Sequence, residues 1–481
     1  MIENEHEYYQ NPLCVRYADD EMKRIFSDDS KFSTWRRLWV ALAEAEKELG
    51  IDITDEQLDE LRAHISDIDY DAALAHEHEV RHDVMAHVLT LGEACPAAKP
   101  IIHLGATSCY VGDNTDIINM RDAMLLIRKL LVNTLYELSV FAEKYKAQPC
   151  LAFTHFQAAQ PTTVGKRACL WMNDILFDIE QLDFQLDNLK LLGCKGTTGT
   201  GASFLKLFDG DTEKVERLEK IIAEKVGFDK CQSVSGQTYS RKVDFAVMQV
   251  LSGIAQSATK FSNDIRLLSH LKEVDEPFSD KQIGSSAMAY KRNPMRSERI
   301  ASLSRYIIND LNNTAMTAAT QWFERTLDDS ANRRIAIPEA FLAADAVLNL
   351  YINVIRGLRI YPAVMEKHLN EELPFMATEN ILMYCVKEKG GDRQLLHEAI
   401  RRHSVAAAQQ VKQFGKANDL LDRIKADETF SLTDEEIAEL TRPETFTGMA
   451  EHQCDVFLAN DVAPVLEKYK SLLGADADIN V

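Results

Sequence analysis

The sequence predicts an almost wholly helical protein, and two observations support that prediction. Only 20 glycines and 12 prolines occur among 481 residues, about half the average usage of these helix-interrupting residues. Apolar residues also recur at helical spacing through long stretches that contain neither residue type. Since no alternating series typical of strands is evident, we expect an all-α protein.

Four stretches predict the long helices. Residues 122–145 form an amphipathic pattern, and no Gly or Pro occurs between Gly165 and Gly193. Residues 241–271 are interrupted only by Gly253, and the run from Pro294 to Pro338 contains neither residue between its ends. These stretches exceed the usual helix length and are apolar on more than one face. They are therefore expected to be buried in a bundle or between subunits.

Helix length divides the chain into three predicted domains. Residues 1–107 form an N-terminal domain of shorter helices, residues 108–360 a central bundle of long helices, and residues 361–481 a C-terminal helical domain.

Composition indicates a cytoplasmic protein. The nine cysteines include no CxxC pair, which favours reduced thiols over disulfides or a structural zinc site. No apolar run approaches the ~18 residues of a membrane span. The N-terminus, MIENEHEYYQ, is acidic and polar and lacks the basic and apolar regions of a secretory signal.

The charge of the chain restricts its partners. A net charge of −21 argues against nucleic acid as a partner, because proteins bind phosphate backbones through clustered Lys and Arg. An anionic substrate would require local concentrations of cations against this field.

A zinc motif is the first candidate site. Residues 78–82 read H-E-V-R-H, the pattern of zinc metalloproteases. The metzincin extension is absent, and no glutamate occurs between Glu93 and Glu137 as a third ligand. We therefore favour a polar helix face, although Arg81, His82 and Asp83 form a dense polar group.

Two further segments are weaker candidates. Residues 195–201, K-G-T-T-G-T-G, lack the phosphate-binding pattern that ends in Lys and Ser or Thr, so a polar turn is favoured and substrate contact is left open. His155 lies between Pro149 and Pro161. A histidine side chain can deliver a proton to a leaving group.

Two cationic clusters stand out against the negative charge. Residues 284–299 contain adjacent hydroxyls, an amide and four cations between two long helices. Residues 322–334 supply Arg325, Ser330, Arg333 and Arg334. Such groups suit a ligand that carries carboxylates and a phosphate.

The first of these clusters resembles a known signature. Its pattern G-S-S-x-M-x-x-K-x-N-P resembles the signature loop of the fumarase/aspartase superfamily, and the continuation K-R-N-P-M-R-S-E-R is similar to that of the adenylosuccinate lyase family. We call residues 284–299 the signature loop. Further similar motifs follow in the family order: residues 81–87, 103–108, 154–157, 236–239 and 322–330.

This resemblance implies a fold, an assembly and an activity. It implies a three-domain fold whose central helices form the core of a homotetramer, with each active site built from three subunits. The implied carbon–nitrogen lyase releases fumarate from adenylosuccinate, giving AMP, and from SAICAR, giving AICAR, without a metal or organic cofactor.

The resemblance also implies roles for individual residues. Ser285 matches the general base, although Ser286 is not excluded, and His155 matches the general acid, with His82 as the reserve candidate. Lys291 and Asn293 are suited to the succinyl carboxylates, together with Thr107 and Ser108. The implied substrate-binding set is Arg16, Tyr17, Arg81, His82, Asp83, Thr107, Ser108, Thr154, Gln237, Lys291, Asn293, Arg299, Arg325, Ser330 and Arg334.

One departure and two alternatives accompany these expectations. Ala289 occupies a position that is usually proline in the family, which would make loop closure entropically costlier. Argininosuccinate lyase and other superfamily lyases use similar loops. A non-catalytic structural homologue is the other alternative, but the presence of Ser285, Lys291 and His155 argues against it.

Overall fold

The computed structural model describes residues 7–279 and 281–476. The first six residues, part of the N-terminus for which no secretory signal is expected, lie outside the described residues, as do the ends of the predicted first and third domains.

The described chain is predominantly helical, which confirms the all-α prediction. Its helices are α1 (Asp20–Ile25), α2 (Asp28–Glu48), α3 (Asp55–Ala63), α4 (Tyr70–Val80), α5 (Asp83–Ala94), α6 (Ser108–Tyr145), α7 (Val164–Asn188), α8 (Ala202–Leu207), α9 (Thr212–Lys225), α10 (Lys242–His270), α11 (Met295–Ala319), α12 (Asp328–Gly357), α13 (Pro362–Met376), α14 (Thr378–Lys389), α15 (Arg393–Phe414), α16 (Leu420–Ala426), α17 (Asp434–Leu440), α18 (Ala450–Phe457) and α19 (Ala463–Lys468). Four short strands form two antiparallel pairs: β1 (Pro149–Thr154) with β2 (Gln157–Thr163), and β3 (Val274–Asp275) with β4 (Arg359–Ile360).

Five long helices, α6, α7, α10, α11 and α12, pack side by side around the main hydrophobic core. The N-terminal ends of α6, α10 and α12 meet where Arg241 hydrogen-bonds to Asp113 and Asp329. The C-terminal ends of α6 and α12 meet where Arg356 pairs with Glu137. We call these places the first end and the second end of the bundle.

Helices α7 and α11 run in the opposite direction and begin at the second end. A Cβ atom on Gly165 in α7 would collide with the Ala142 carbonyl oxygen in α6, so this glycine permits close helix packing. Arg296 in α11 donates to the Asn353 side chain in α12 at 2.9 Å. Helix α6 has 38 residues and spans about 57 Å at the α-helical rise, which separates the two ends of the bundle.

Helix α12 passes through the middle of the core. It continues through Pro338, although proline removes a backbone donor from a helix. Of the described helices, α12 alone has the length and composition to cross a membrane, but 83% of its most apolar window is buried inside the molecule. A buried core helix of a globular domain also has this length and composition.

A second, smaller core lies among α14, α15 and α16. The chain then returns through α18 to the main bundle, where Cys454 packs 3.5 Å from Cys169 of α7. The division into three domains at residues 107 and 360 stays a prediction.

The structure corrects two expectations about secondary structure. The run from Pro294 to Pro338 forms two helices rather than one, because residues 320–327 break the helical path between α11 and α12. Strands were not expected, yet β1 and β2 form a hairpin whose register shifts between Leu151 and Phe153. This irregularity and the short length explain why no alternating pattern marks the hairpin.

Candidate active site

The turn between α4 and α5 brings three predicted site residues to the first end. Helix α4 ends at Val80, and Arg81, whose φ of 55° is left-handed, follows it, so the H-E-V-R-H motif does not lie on one helix. His82 caps α5, accepting the Met85 N–H at Nδ1 over 3.2 Å. Its Nε2 lies 3.3 Å from Ser108 Oγ, at the start of α6.

Asp83 connects this turn to α12. Its carboxylate accepts a hydrogen bond from Arg334 Nη2 at 2.8 Å. Burial opposes ionisation of Asp83, but the Val84 N–H and Arg334 outweigh it and hold the pKa of this carboxyl below its usual value. An ionised Asp83 therefore holds the Arg334 guanidinium at the first end.

The loop that carries Gln237 reaches the same place. The Gln237 N–H donates to the Glu324 carbonyl at 2.9 Å, and a Cβ on Gly236 would collide with that carbonyl oxygen. Arg325 Nη1 in turn lies 2.7 Å from Cys109 Sγ in α6. The predicted residues Gln237 and Arg325 are thus brought together beside Ser108.

The glycine-rich segment 195–201 packs behind the Gln237 loop. A Cβ on Gly199 would collide with the Ser235 carbonyl oxygen, and Lys195 is paired with Glu219 at 2.7 Å. The segment supports the site loop, and its lysine is engaged within the protein.

A buried ionic network lies beneath these loops. Arg333 pairs with Asp244 at 2.7 Å and Asp116 at 2.9 Å, and Arg241 pairs with Asp113 at 2.9 Å. Arg333 was expected among the anion-binding cations of residues 322–334, but it is buried and neutralised here. Ser330 and Arg334, in the first two turns of α12, are more accessible.

The signature loop lies at the second end, where residues 284–294 precede α11 and residues 295–299 form its first turn and a half. Ser285 Oγ accepts the backbone N–H groups of Met288 at 3.1 Å and Ala287 at 3.4 Å. The Asn293 amide donates to the Gly284 carbonyl at 2.8 Å and closes the loop on itself. Lys291 is exposed to solvent.

Three further predicted residues lie near the beginning of α11. The Arg299 guanidinium lies over the Tyr17 ring, 5.6 Å from its centroid, within cation–π range. Tyr17 ends a single π-helical turn, Leu13–Tyr17, in which Arg16 is exposed.

The β1–β2 hairpin carries Thr154 and His155 at its tip, beyond the C-terminal end of α6 and so at the second end of the bundle. Both side chains are exposed. His155 and Phe156 have φ values of 55° and 56°, a left-handed conformation that costs about 1 kcal/mol or more for a non-glycine residue. Positive φ at both residues is the geometry of a two-residue hairpin turn, and it places His155 at the exposed tip.

Within one chain, the predicted residues therefore form two groups, one at each end of the helix bundle. Thr107 and Ser108 precede or begin α6, whereas Thr154 and His155 lie beyond its C-terminal end. The length of α6, about 57 Å at the α-helical rise, separates them, so one chain alone does not bring the proposed acid to the first-end residues.

Two residues at the first end were missed by sequence reasoning. Cys109 contacts Arg325, and its position directly after Ser108 in a family-like motif was the available signal. Lys31 in α2 lies over the rings of Phe32 and Trp35, at 4.8 and 5.2 Å from their centroids. Burial, and then the charge of Arg334, lower the pKa of Lys31, and no motif marked it.

Comparisons with known proteins agree with this architecture. A family model described as "Lyase" matches residues 15–308, and one described as "Adenylosuccinate lyase C-terminus" matches residues 374–457. Proteins named adenylosuccinate lyase are similar over nearly the whole chain. That of Saccharomyces cerevisiae is 52% identical and covers 98% of each chain, and that of Schizosaccharomyces pombe is 51% identical and covers 97% of each. The Schistosoma mansoni protein is 47% identical over 99% of this chain and 100% of its own.

Solved structures confirm the fold alone, because their sequences are distant. The 3-carboxy-cis,cis-muconate lactonizing enzyme from Pseudomonas putida superposes with a TM-score of 0.80 at 21% identity, covering 96% of this chain and 100% of its own. A fumarate lyase from Mesorhizobium sp. BNC1 has a TM-score of 0.78 at 22% identity, with coverages of 94% and 100%.

Proposed function

This chain belongs to the adenylosuccinate lyase family, and we propose that it cleaves adenylosuccinate to AMP and fumarate, and SAICAR to AICAR and fumarate. The observation that carries the proposal is the gathering of separate anion-binding groups at the two ends of the bundle. Arg325, Ser330 and Arg334 at the first end suit a phosphate, and Lys291 in the signature loop suits a carboxylate.

The reaction needs a base to remove a proton from the succinyl carbon beside a carboxylate. A serine hydroxyl serves only if its alkoxide is stabilised. Ser285 Oγ already accepts two backbone N–H groups, from Ala287 and Met288, which would stabilise negative charge on that oxygen. Ser286 is exposed and its hydroxyl has no such contact among the described residues. Ser285 is therefore the proposed base.

The leaving nitrogen must be protonated as the carbon–nitrogen bond breaks. His155, exposed at the hairpin tip, is the proposed acid. His82 is less suited because both of its ring nitrogens are engaged: Nδ1 accepts the Met85 N–H, so the neutral ring carries its proton on Nε2, facing Ser108. We assign His82 to substrate orientation.

The separation of the two ends favours shared active sites. On helix α7, Leu170, Phe177 and Phe184 recur every seven residues and are 49%, 59% and 64% exposed, forming an apolar stripe typical of helix packing between chains. Association along this stripe would let the second end of one subunit meet the first end of another. The proposed assembly is a homotetramer with each site built from three subunits.

An absorbance assay of substrate cleavage tests the proposed function. Purified protein is given adenylosuccinate, SAICAR, argininosuccinate and malate in parallel. Cleavage of the two purine substrates alone is the expected result. Cleavage of argininosuccinate or dehydration of malate instead would assign the chain to another lyase activity, and inactivity towards all four would favour a structural homologue.

A further inference from the structure

Cys109 lies in the first turn of α6, directly after Ser108, and contacts two side chains of the proposed nucleotide-binding set. Its Sγ lies 3.6 Å from Gln237 Oε1 and 2.7 Å from Arg325 Nη1. The residue is 4% exposed. Gln237 and Arg325 come from separate loops, so the thiol connects the two loops through their side chains.

The protonation state of the thiol determines the direction of both contacts. Burial, assisted by the charge of Asp113, raises the pKa of Cys109 to about 12, although Arg325 opposes this shift. The S–H group therefore persists at neutral pH. It donates to Gln237 Oε1, while the sulfur accepts from the Arg325 guanidinium.

This arrangement orients the Gln237 amide. Because Oε1 is directed at the thiol, the Nε2 donor is directed elsewhere, and within the described chain Nε2 has no hydrogen-bond partner. Arg325 likewise makes no other side-chain hydrogen bond among the described residues. Both side chains keep donors available for a ligand.

The Gln237 loop and the start of α12, which follows the loop that carries Arg325, are anchored independently, deeper along α6. Asp113, one turn after Cys109, accepts the Tyr239 N–H and binds Arg241, and Asp116 binds Arg333. Loss of the thiol would thus leave the loops attached while releasing the side chains at their tips.

We propose that Cys109 is a positioning residue for substrate binding, holding the Gln237 amide and the Arg325 guanidinium in the arrangement that binds the nucleotide part of the substrate. The inference rests on the proposed function and adds to it a residue that does not itself touch the reacting atoms. Its removal is expected to alter KM more than kcat.

The test compares Cys109→Ala with Cys95→Ala, a fully buried cysteine outside both loops. For Cys109→Ala, the KM for adenylosuccinate should rise roughly tenfold, the scale of a lost hydrogen bond to a charged group, while kcat changes by less than about threefold. Cys109→Ser keeps a group that both donates and accepts a hydrogen bond, although its bond to Cβ is shorter. Its KM should therefore lie between those of wild type and Cys109→Ala. The thermal unfolding midpoint is measured for both alanine variants. A similar decrease in the two would reflect the loss of a buried side chain, which they share.

Combining Cys109→Ala with Arg325→Ala shows whether the thiol acts on substrate binding through its contact with Arg325. AMP affinity, measured by calorimetry, is compared for the two single variants and the double variant. The loss caused by Cys109→Ala should shrink by at least half when Arg325 is absent. An undiminished loss, or a Cys109→Ala enzyme whose KM matches that of Cys95→Ala, would overturn the proposal. A wild-type protein that cleaves neither purine substrate would instead refute the proposed function.

Discussion

At the scale of single residues, the hydroxyl of Ser285 differs from that of its neighbour through its two backbone donors. Ser285→Ala should therefore lower turnover by at least ~10²-fold, the scale of general acid–base catalysis. Ser286→Ala is the matched control and should retain turnover within about tenfold of wild type. Steady-state fumarate release measures both. A larger loss of turnover in Ser286→Ala than in Ser285→Ala would instead assign the role of base to Ser286.

Glu46 provides a residue-scale prediction about stability. It is fully buried, neither carboxylate oxygen has a hydrogen-bond partner among the described residues, and burial raises its pKa to about 8. The folded state therefore holds a proton that the unfolded chain loses above its ordinary pKa of 4.5. The contribution of Glu46 to the free energy of unfolding is therefore fully present below pH 4.5, and it is lost as the pH rises towards 8.

Thermal unfolding of Glu46→Gln between pH 5 and pH 9 checks this sign. The wild-type midpoint should fall more steeply with rising pH than that of the variant, because the amide does not titrate. The exposed Glu56→Gln variant should follow wild type. Parallel curves for wild type and Glu46→Gln would contradict the assignment.

The sequence showed that cationic residues cluster within residues 322–334, but it did not show what surrounds each of them. Arg325 and Arg334 lie at the first end as a cationic cluster implies, but Arg333 between them is buried against Asp116 and Asp244. Residue type and spacing do not reveal which arginine faces a partner carboxylate inside the fold. The contact of Cys109 with Arg325 was hidden for the same reason.

At the scale of elements, Gly236 permits the Gln237 loop to approach the segment between α11 and α12. Gly236→Ala should force these two segments apart, because the new Cβ would collide with the Glu324 carbonyl. We expect a KM increase of roughly tenfold or more and a destabilisation of about 1–3 kcal/mol. Kinetics and denaturant unfolding measure the two effects.

A matched glycine substitution controls for a general helix or loop effect. Gly253 lies inside α10, where an added Cβ would lie 3.4 Å from Asp178 Oδ1, a contact that can be accommodated. Gly253→Ala should leave KM unchanged. Equal KM values for Gly236→Ala and wild type would show that the close approach is not needed.

Element boundaries show why the sequence predicted some helices and not others. Helices α7 and α10 follow their predicted runs closely, since apolar periodicity is continuous there. Helix α6 begins at Ser108 rather than near residue 122, because buried polar residues such as Asp113 and Asn114 obscure the apolar pattern of its first turns. Asp113 is also the residue that holds the Gln237 loop, through the Tyr239 N–H.

At the scale of the whole molecule, the all-α architecture follows from composition and periodicity. The relative placement of the motifs does not, because only the packed bundle shows that Arg325 and Arg334, at the start of α12, lie beside the start of α6. The sharing of active sites between subunits was an implication of family resemblance. A helix of about 57 Å is a physical reason to propose it.

Subunit complementation tests this central claim most directly. His82→Gln, altered at the first end, and His155→Gln, altered at the second end, are each expected to have low turnover; the two proteins are mixed in equal amounts, and subunit exchange is verified by mass spectrometry of the assembled species. If the two residues of a site come from different subunits, about a quarter of wild-type activity should return, since each position has an even chance of being intact. No recovery after verified exchange would contradict the shared active site.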